Sequence, residues 1–180
     1  MRAVSFVTRN EIAGGNLKGQ ISVWDVRQDV FTPTISFPYN SDQSIGVTQL
    51  VQFPTQRHIL VGAGADGSLS TWDLRKTDAS QTIYAAHRNH ITDLRFHNVR
   101  PGNGFSCSFD GDVWHWNNFA ELLGASVSMT SKQLSGKMPN VLCLLPRKKF
   151  PVNSIDVIGD SLVAAYDNDL LVYINNLQLK

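Results

Sequence analysis

Short runs of alternating apolar and polar residues recur along the chain, each followed by a turn rich in Gly, Asp or Asn. Ala3 to Val7 (AVSFV), Val47 to Phe53 (VTQLVQF), Ile91 to Phe96 (ITDLRF) and Val152 to Ile158 (VNSIDVI) alternate in part, with β-branched and aromatic residues. That pattern predicts half-buried β-strands. Behind each comes a run of small residues: EIAGGN from Glu11, HILVGAGA from His58, GFSCSF from Gly104 and SLVAAY from Ser161. Small side chains suit strands in a crowded interior. Asp66-Gly67 and Asp110-Gly111 are hairpin turn signals, because glycine accepts a positive φ at little cost. No segment keeps a long helical period, so the chain is expected to be all-β.

The strand groups are copies of one unit. KGQISVWDVR (Lys18 to Arg27), DGSLSTWDLR (Asp66 to Arg75) and DGDVWHWNNF (Asp110 to Phe119) each place Trp five residues after Gly: Gly19 and Trp24, Gly67 and Trp72, Gly111 and Trp116. A worn fourth copy, DNDLLVYINN (Asp167 to Asn176), offers Tyr173 as its anchor. Positions 24, 72, 116 and 173 lie 48, 44 and 57 residues apart. The first two gaps sit near the period of about 40–45 residues of WD repeats, so the expected fold is a WD40-type β-propeller. The repeats are set at 1–28, 29–76, 77–118 and 140–176, with a loop insertion over 119–146 explaining the last gap. At this period a ring of seven blades needs about 300 residues. The 180 residues supply about four, so an incomplete, open propeller is expected, whose first repeat lacks its innermost strand.

Composition excludes more than it suggests. Sixteen Lys and Arg face fifteen Asp and Glu, for a net charge of +1. Such balance gives no broad field for nucleic acid or a membrane surface. Arg147-Lys148-Lys149 is the basic run, read as a solvated loop. Cys107 and Cys143 are far apart and form no CxxC pair, so neither a zinc cluster nor a disulfide framework is expected. No apolar run approaches the ~20 residues of a membrane span.

The third repeat is the most complete. Ala86-His87 leads into the strand carrying Ile91, Leu94 and Phe96; Ser106, Asp110 and Trp116 follow. This order resembles the WD40 family, in which His, Ser, Asp and Trp form a hydrogen-bonded chain within one blade. The resemblance implies such a chain through His87, Ser106, Asp110 and Trp116. Ala86 stands where the family prefers Gly, and Asn117 where it prefers Asp. The second repeat keeps Asp66, Trp72 and Asp73 but has Gly62 at the Ser position and no His. The first keeps Trp24 and Asp25 with Lys18 in place of the turn Asp. His87 as a base or metal ligand is a weaker reading, since it already has a structural role. His90 and His97 are assigned to loops or an exposed face, and His115 faces away from Trp114 and Trp116. Asp110 and Asp112 read as turn chemistry. There is no nucleophile elbow, P-loop or dinucleotide fingerprint. No enzyme activity, cofactor, metal or small-molecule substrate is expected.

DVWHWN (Asp112 to Asn117), with VNSIDVIGDSLVAAYDND (Val152 to Asp169), narrows the resemblance. Together with WDVRQ (Trp24 to Gln28), these segments resemble the forty-three-kilodalton WD-repeat nucleoporins of the Y-shaped nuclear pore scaffold complex. The resemblance implies a non-catalytic scaffold subunit at the nuclear pore of the nuclear envelope. Its partners would be scaffold nucleoporins, with a mitotic role at kinetochores in animals. It implies neither nucleic-acid binding nor membrane insertion. A rival reading rests on Trp24-Asp25-Val26-Arg27 and Trp72-Asp73-Leu74-Arg75. This WDxR pattern resembles substrate receptors of cullin-type ubiquitin ligases, with Arg27 and Arg75 as adaptor-docking residues.

Overall fold

A computed structural model describes residues 1–28, 31–40, 44–119 and 141–179, with the side chains of 77–84 left aside. Among the described residues the chain forms fifteen strands in four antiparallel meanders. The first sheet is β1 (Ala3–Phe6), β2 (Glu11–Gly15), β3 (Gln20–Asp25) and β4 (Ile35–Pro38). The second is β5 (Val47–Gln52), β6 (Ile59–Gly64), β7 (Ser68–Asp73) and β8 (Lys76–Ala85). The third is β9 (Ile91–Phe96), β10 (Gly104–Ser108), β11 (Val113–Trp116) and β12 (Val141–Leu145). The fourth is β13 (Val152–Ile158), β14 (Ser161–Tyr166) and β15 (Leu171–Ile174).

Within each sheet, chain order is spatial order. The first strands β1, β5, β9 and β13 lie one against the next and form the inner rim of an arc. The fourth sheet packs on the third and shows no comparable packing on the first among the described residues, so the arc is open. The expectation that the innermost strand of the first repeat is missing is therefore wrong. Ala3–Phe6 is that strand, pairing with β2 and packing on β5. The error came from equating sequence repeats with sheets. The repeats at 29–76, 77–118 and 140–176 each open with the outer strand of the preceding sheet, namely β4, β8 and β12. For the same reason the insertion set at 119–146 is too long at its ends. Phe119 is fully buried against Phe53 and Phe96, and Val141–Leu145 pairs with β11. Residues 120–140 lie outside the described residues.

The core is three inter-sheet seams. The first joins Ala13, Ile21 and Val23 of one sheet to Leu50, Leu60 and Trp72 of the next. The second joins Val61, Ala63 and Leu69 to Ile91, Leu94, Phe96 and Trp116. The third joins Phe105, Cys107 and Val113 to Ile155, Val157, Leu162 and Ala164. The second and third sheets thus bury one face forward and one face backward, which is why their strands are nearly continuous in apolar and small residues. The sheets are pinned by turns with positive φ at Gly19, Gly67 and Gly111, where the following loop's backbone crosses directly over the glycine. A side chain there would meet both a strained φ and the carbonyl oxygens of Ile45, His87 or Phe150.

Candidate functional site

The best-developed polar cluster is a buried chain in the third sheet. The Trp116 indole N–H donates to Ser106 Oγ at 2.8 Å. Ser106 Oγ lies 2.7 Å from His87 Nε2. His87 Nδ1 lies 2.7 Å from Asp112 Oδ1, which also accepts from Ser108 Oγ at 2.6 Å. Because the indole only donates, the Ser106 hydroxyl proton is free for His87 Nε2, and the Nδ1–H then serves the carboxylate. Every proton in the chain has one acceptor. His87 enters from the loop after β8 and reaches across to the third sheet, so the chain locks that sheet to its predecessor.

The carboxylate is Asp112 and not Asp110, which corrects the expected set. The two-residue period of β11, carried back to the residue before it, puts Asp112, Trp114 and Trp116 on one face, and Ser106 pairs with Trp114 on that face. Asp110 sits before the bend at Gly111, whose N–H donates to Ser108 O. Its carboxylate is turned the other way, 3.3 Å from the Arg147 guanidinium. Burial would raise the Asp112 carboxyl pKa, but the His87 and Ser108 hydrogen bonds outweigh it and hold the group near 2.

The second sheet solves the same problem differently. Register places Gly62 opposite Leu50, as Ser106 is placed opposite Leu94. With no hydroxyl there, the ring of Trp72 closes over Gly62, where a Cβ would lie 2.7 Å from the indole. The position that His87 takes is filled by Tyr39. Their backbones are held alike, Tyr39 N–H by Gly19 O and His87 N–H by Gly67 O. Tyr39 is fully buried, meets Trp72 edge-on at 5.3 Å, and donates to Ser68 O at 2.9 Å. Asp66 accepts from the backbone and hydroxyl of Ser68. Sequence reasoning sought a histidine and missed Tyr39. Its signal was distance from the next turn glycine: Tyr39 precedes Gly67 by 28 residues and His87 precedes Gly111 by 24.

The fourth anchor also needs correction. Counting five residues from the positive-φ turn residue gives Trp24, Trp72 and Trp116 after Gly19, Gly67 and Gly111. In the fourth sheet that residue is Asp169, so the anchor is Ile174. Pairing agrees: Ile174 opposes Leu162, as Trp72 opposes Leu60 and Trp116 opposes Gly104. Tyr173 lies on the other face, exposed, with its hydroxyl 3.0 Å from Ser161.

Arg27 and Arg75 are held in the same way. Arg27 forks onto Asp25 through Nε at 3.0 Å and Nη2 at 2.7 Å, and Arg75 onto Asp73 at 2.9 Å and 2.6 Å. These bonds hold the Asp25 and Asp73 carboxyls near 2. Both guanidinium groups remain solvent-exposed at the ends of β3 and β7. His115 and His97 are structural as well. His115 is buried, stacks on Phe105 at 4.7 Å and bonds Asn103 Oδ1 at 2.8 Å. His97, expected to be on a loop or exposed face, is instead buried, its Nε2 2.6 Å from Gly159 O in the fourth sheet. Lys148 caps the Tyr166 ring at 5.2 Å. Cys107 and Cys143 are free thiols, and burial pushes Cys107 up to about 12, which makes it unreactive. Among the described residues no group of His, Cys, Asp and Glu could hold a metal, and no helix is long and apolar enough to cross a membrane. Among the described residues one surface groove, of about 440 Å³, is lined by Phe6, Arg9, Gln52 and Arg57.

Sheet meanders, turn glycines and the His–Ser–Trp chain define the class: a WD-repeat β-propeller, here as an open arc. Two computationally designed propeller proteins share the fold at 19% identity. Ika4 matches with a TM-score of 0.67, over 97% of this chain and 89% of its own, and Ika8 with 0.64, over 97% and 45%. No protein-family profile matches the chain. The sequence is similar to nucleoporin Nup43 of Mus musculus, 28% identical over 95% of this chain and 52% of the relative. It is 26% identical to nucleoporin Nup43 of Homo sapiens, over 98% and 54%. It is also 26% identical to the nuclear pore complex protein nup43 of Dictyostelium discoideum, over 72% and 30%. The chain is thus similar in sequence to Nup43 proteins, and it spans about half the length of the mouse and human relatives it matches.

Proposed function

We propose that the chain is a non-catalytic scaffold subunit of the nuclear pore, acting through protein–protein contacts with nucleoporins of the Y-shaped complex. The similarity to Nup43 over nearly the whole chain carries this reading. The site chemistry supports it, because the polar side chains that a catalyst would use are spent on structure. His87, Ser106 and Asp112 satisfy one another, and His115 is closed off by Phe105 and Asn103. What remains for binding is the surface: loops, grooves between inner strands and exposed arginines. The charge balance argues against nucleic acid as the partner. A role at kinetochores in mitosis belongs to the same proposal. The test is affinity purification of the tagged chain with quantitative mass spectrometry. Enrichment of scaffold nucleoporins is expected, and their absence beside other stable partners would overturn it.

One observation favours a second reading. Arg27 and Arg75 are braced by their own aspartates and exposed, as a docking guanidinium should be. On that reading the chain is a substrate receptor for a cullin-type ubiquitin ligase. The same purification would then recover the cullin adaptor, and Arg27→Ala or Arg75→Ala would lose it.

A further inference from the structure

The first seam lacks the aromatic rings that close the second. In the second seam Phe53 meets Phe96 edge-on at 5.2 Å, and Phe119 packs on both. Register finds the same two places one sheet earlier. Gln52 opposes Leu60 as Phe96 opposes Gly104, and Leu60 and Gly104 each face the repeat tryptophan. Val7 N–H donates to Glu11 O as Phe53 N–H donates to Ile59 O. Val7 and Gln52 thus stand where the second seam has Phe53 and Phe96. Two rings are exchanged for an isopropyl group and an amide, and a groove of about 440 Å³ opens between the turn after β1 and the end of β5. The amide also brings a donor that the rings lack. Gln52 Nε2 is buried and has no hydrogen-bond partner, a costly arrangement that an acceptor in the groove would relieve.

Two arginines flank the groove. Arg9 and Arg57 both line it. They hold equivalent turn positions, because the residue after each, Asn10 or His58, accepts the N–H of Val26 or Leu74. Both are exposed, and neither makes an ion pair or hydrogen bond among the described residues. Arg27 and Arg75, at the same end of the same two sheets, are spent on Asp25 and Asp73. Glu11, which follows the first turn, accepts from Thr8 Oγ1 at 3.0 Å and pairs with neither Arg9 nor Arg57. The groove therefore presents two uncompensated guanidinium groups and one unpaired amide donor.

We infer that this groove docks an acidic peptide segment of a partner protein, with side-chain carboxylates on Arg9 and Arg57 and an acceptor oxygen on Gln52 Nε2. A carboxylate matches the guanidinium fork with two parallel hydrogen bonds. Nucleic-acid binding draws on roughly six to ten phosphate contacts, and an anionic membrane on clusters of about four to eight basic residues. Two arginines on a chain of net charge +1 supply neither, whereas a pair of carboxylates asks for no more than two. The site is built where β1 packs on β5, by contacts the chain makes within itself. The inference names a partner chemistry and does not rest on the nuclear-pore reading.

Fluorescence anisotropy of a labelled decaglutamate peptide, titrated with the purified chain, tests it. Decaglutamine and an oligo-dT of equal length are the controls, and circular dichroism confirms folding. Decaglutamate should bind and decaglutamine should not. Arg9→Gln and Arg57→Gln should each weaken binding by about fivefold, and the two together by about twentyfold. Lysine at both positions should keep only part of the affinity, since the charge stays but the fork is lost. Gln52→Met should weaken binding with both charges intact. Arg88→Gln, in the loop at the opposite end of the sheets, should leave the affinity unchanged. Arg9 and Arg57 hold nothing in the fold, so their variants decide the outcome even if Gln52→Met does not fold. Decaglutamate left unbound by the folded chain would overturn the inference. So would an equal loss with Arg88→Gln, or oligo-dT bound as tightly through the same arginines. Binding that disappears in a longer form of the chain, whose own residues fill the groove, would overturn it too.

Discussion

A carboxylate beside a buried imidazole stabilises a fold only while it is ionised. Asp112 is held near 2 in the folded chain, below its ordinary value of 3.8. Folding therefore favours the ionised form, and the associated stability is present above about pH 4 and lost as the pH falls toward 2. Urea midpoints measured across that range should drop steeply, and Asp112→Asn should flatten the slope, leaving the share due to Asp25 and Asp73. At neutral pH the same substitution should cost about 2 kcal/mol, because it weakens a buried chain that ends in a charged acceptor. Asp110→Asn should cost less than about 1 kcal/mol, since its partner Arg147 is exposed. Equal losses at the two positions would contradict the assignment. The sequence put the Asp, Ser, His and Trp in the right segment but could not separate two aspartates flanking one glycine. That choice depends on which side of the bend faces His87, and alternation along β11 decides it only once the strand start at Val113 is known.

At the scale of elements, the sheets are variations on one register. Volume moves between neighbours: where Ser106 faces His87 in the third sheet, Gly62 faces Trp72 and Tyr39 in the second. Gly62→Ser should destabilise by about 1–3 kcal/mol, since a Cβ there has no room beneath the indole. Pairing it with Tyr39→His should recover part of that loss, because the smaller ring frees space for the hydroxyl. A double-mutant cycle reads the coupling, and strict additivity would count against the exchange. In the fourth sheet, Ile174→Ala should cost about 1–3 kcal/mol in thermal unfolding. Three repeats were legible from their glycine turns and the fourth from strand alternation. The fourth anchor was misplaced by one residue because an aromatic was sought. The turn there has Asp169 in the positive-φ place, and a non-glycine residue in that conformation leaves no mark in the sequence. The outer strand Val141–Leu145 was likewise absorbed into an insertion, since a repeat and a sheet are offset by one strand.

At the scale of the whole molecule, four sheets make an arc whose three seams are complete and whose two end faces are not. Stability should follow that layout. Amide exchange should be slowest in β6, β7 and β10, which lie between two seams, and faster in β1 and β15 at the ends. The open arc was legible from counting repeats against the residues a ring requires. The partners were not, because binding surfaces of this class carry no spacing rule and sit on exposed loops and faces. The role proposed for this arc is that of a scaffold at the nuclear pore. Live imaging of the fluorescently tagged chain tests it most directly. The account predicts a punctate nuclear rim that persists after detergent extraction of soluble protein. A diffuse signal removed by that extraction, from a chain shown to be folded, would contradict it.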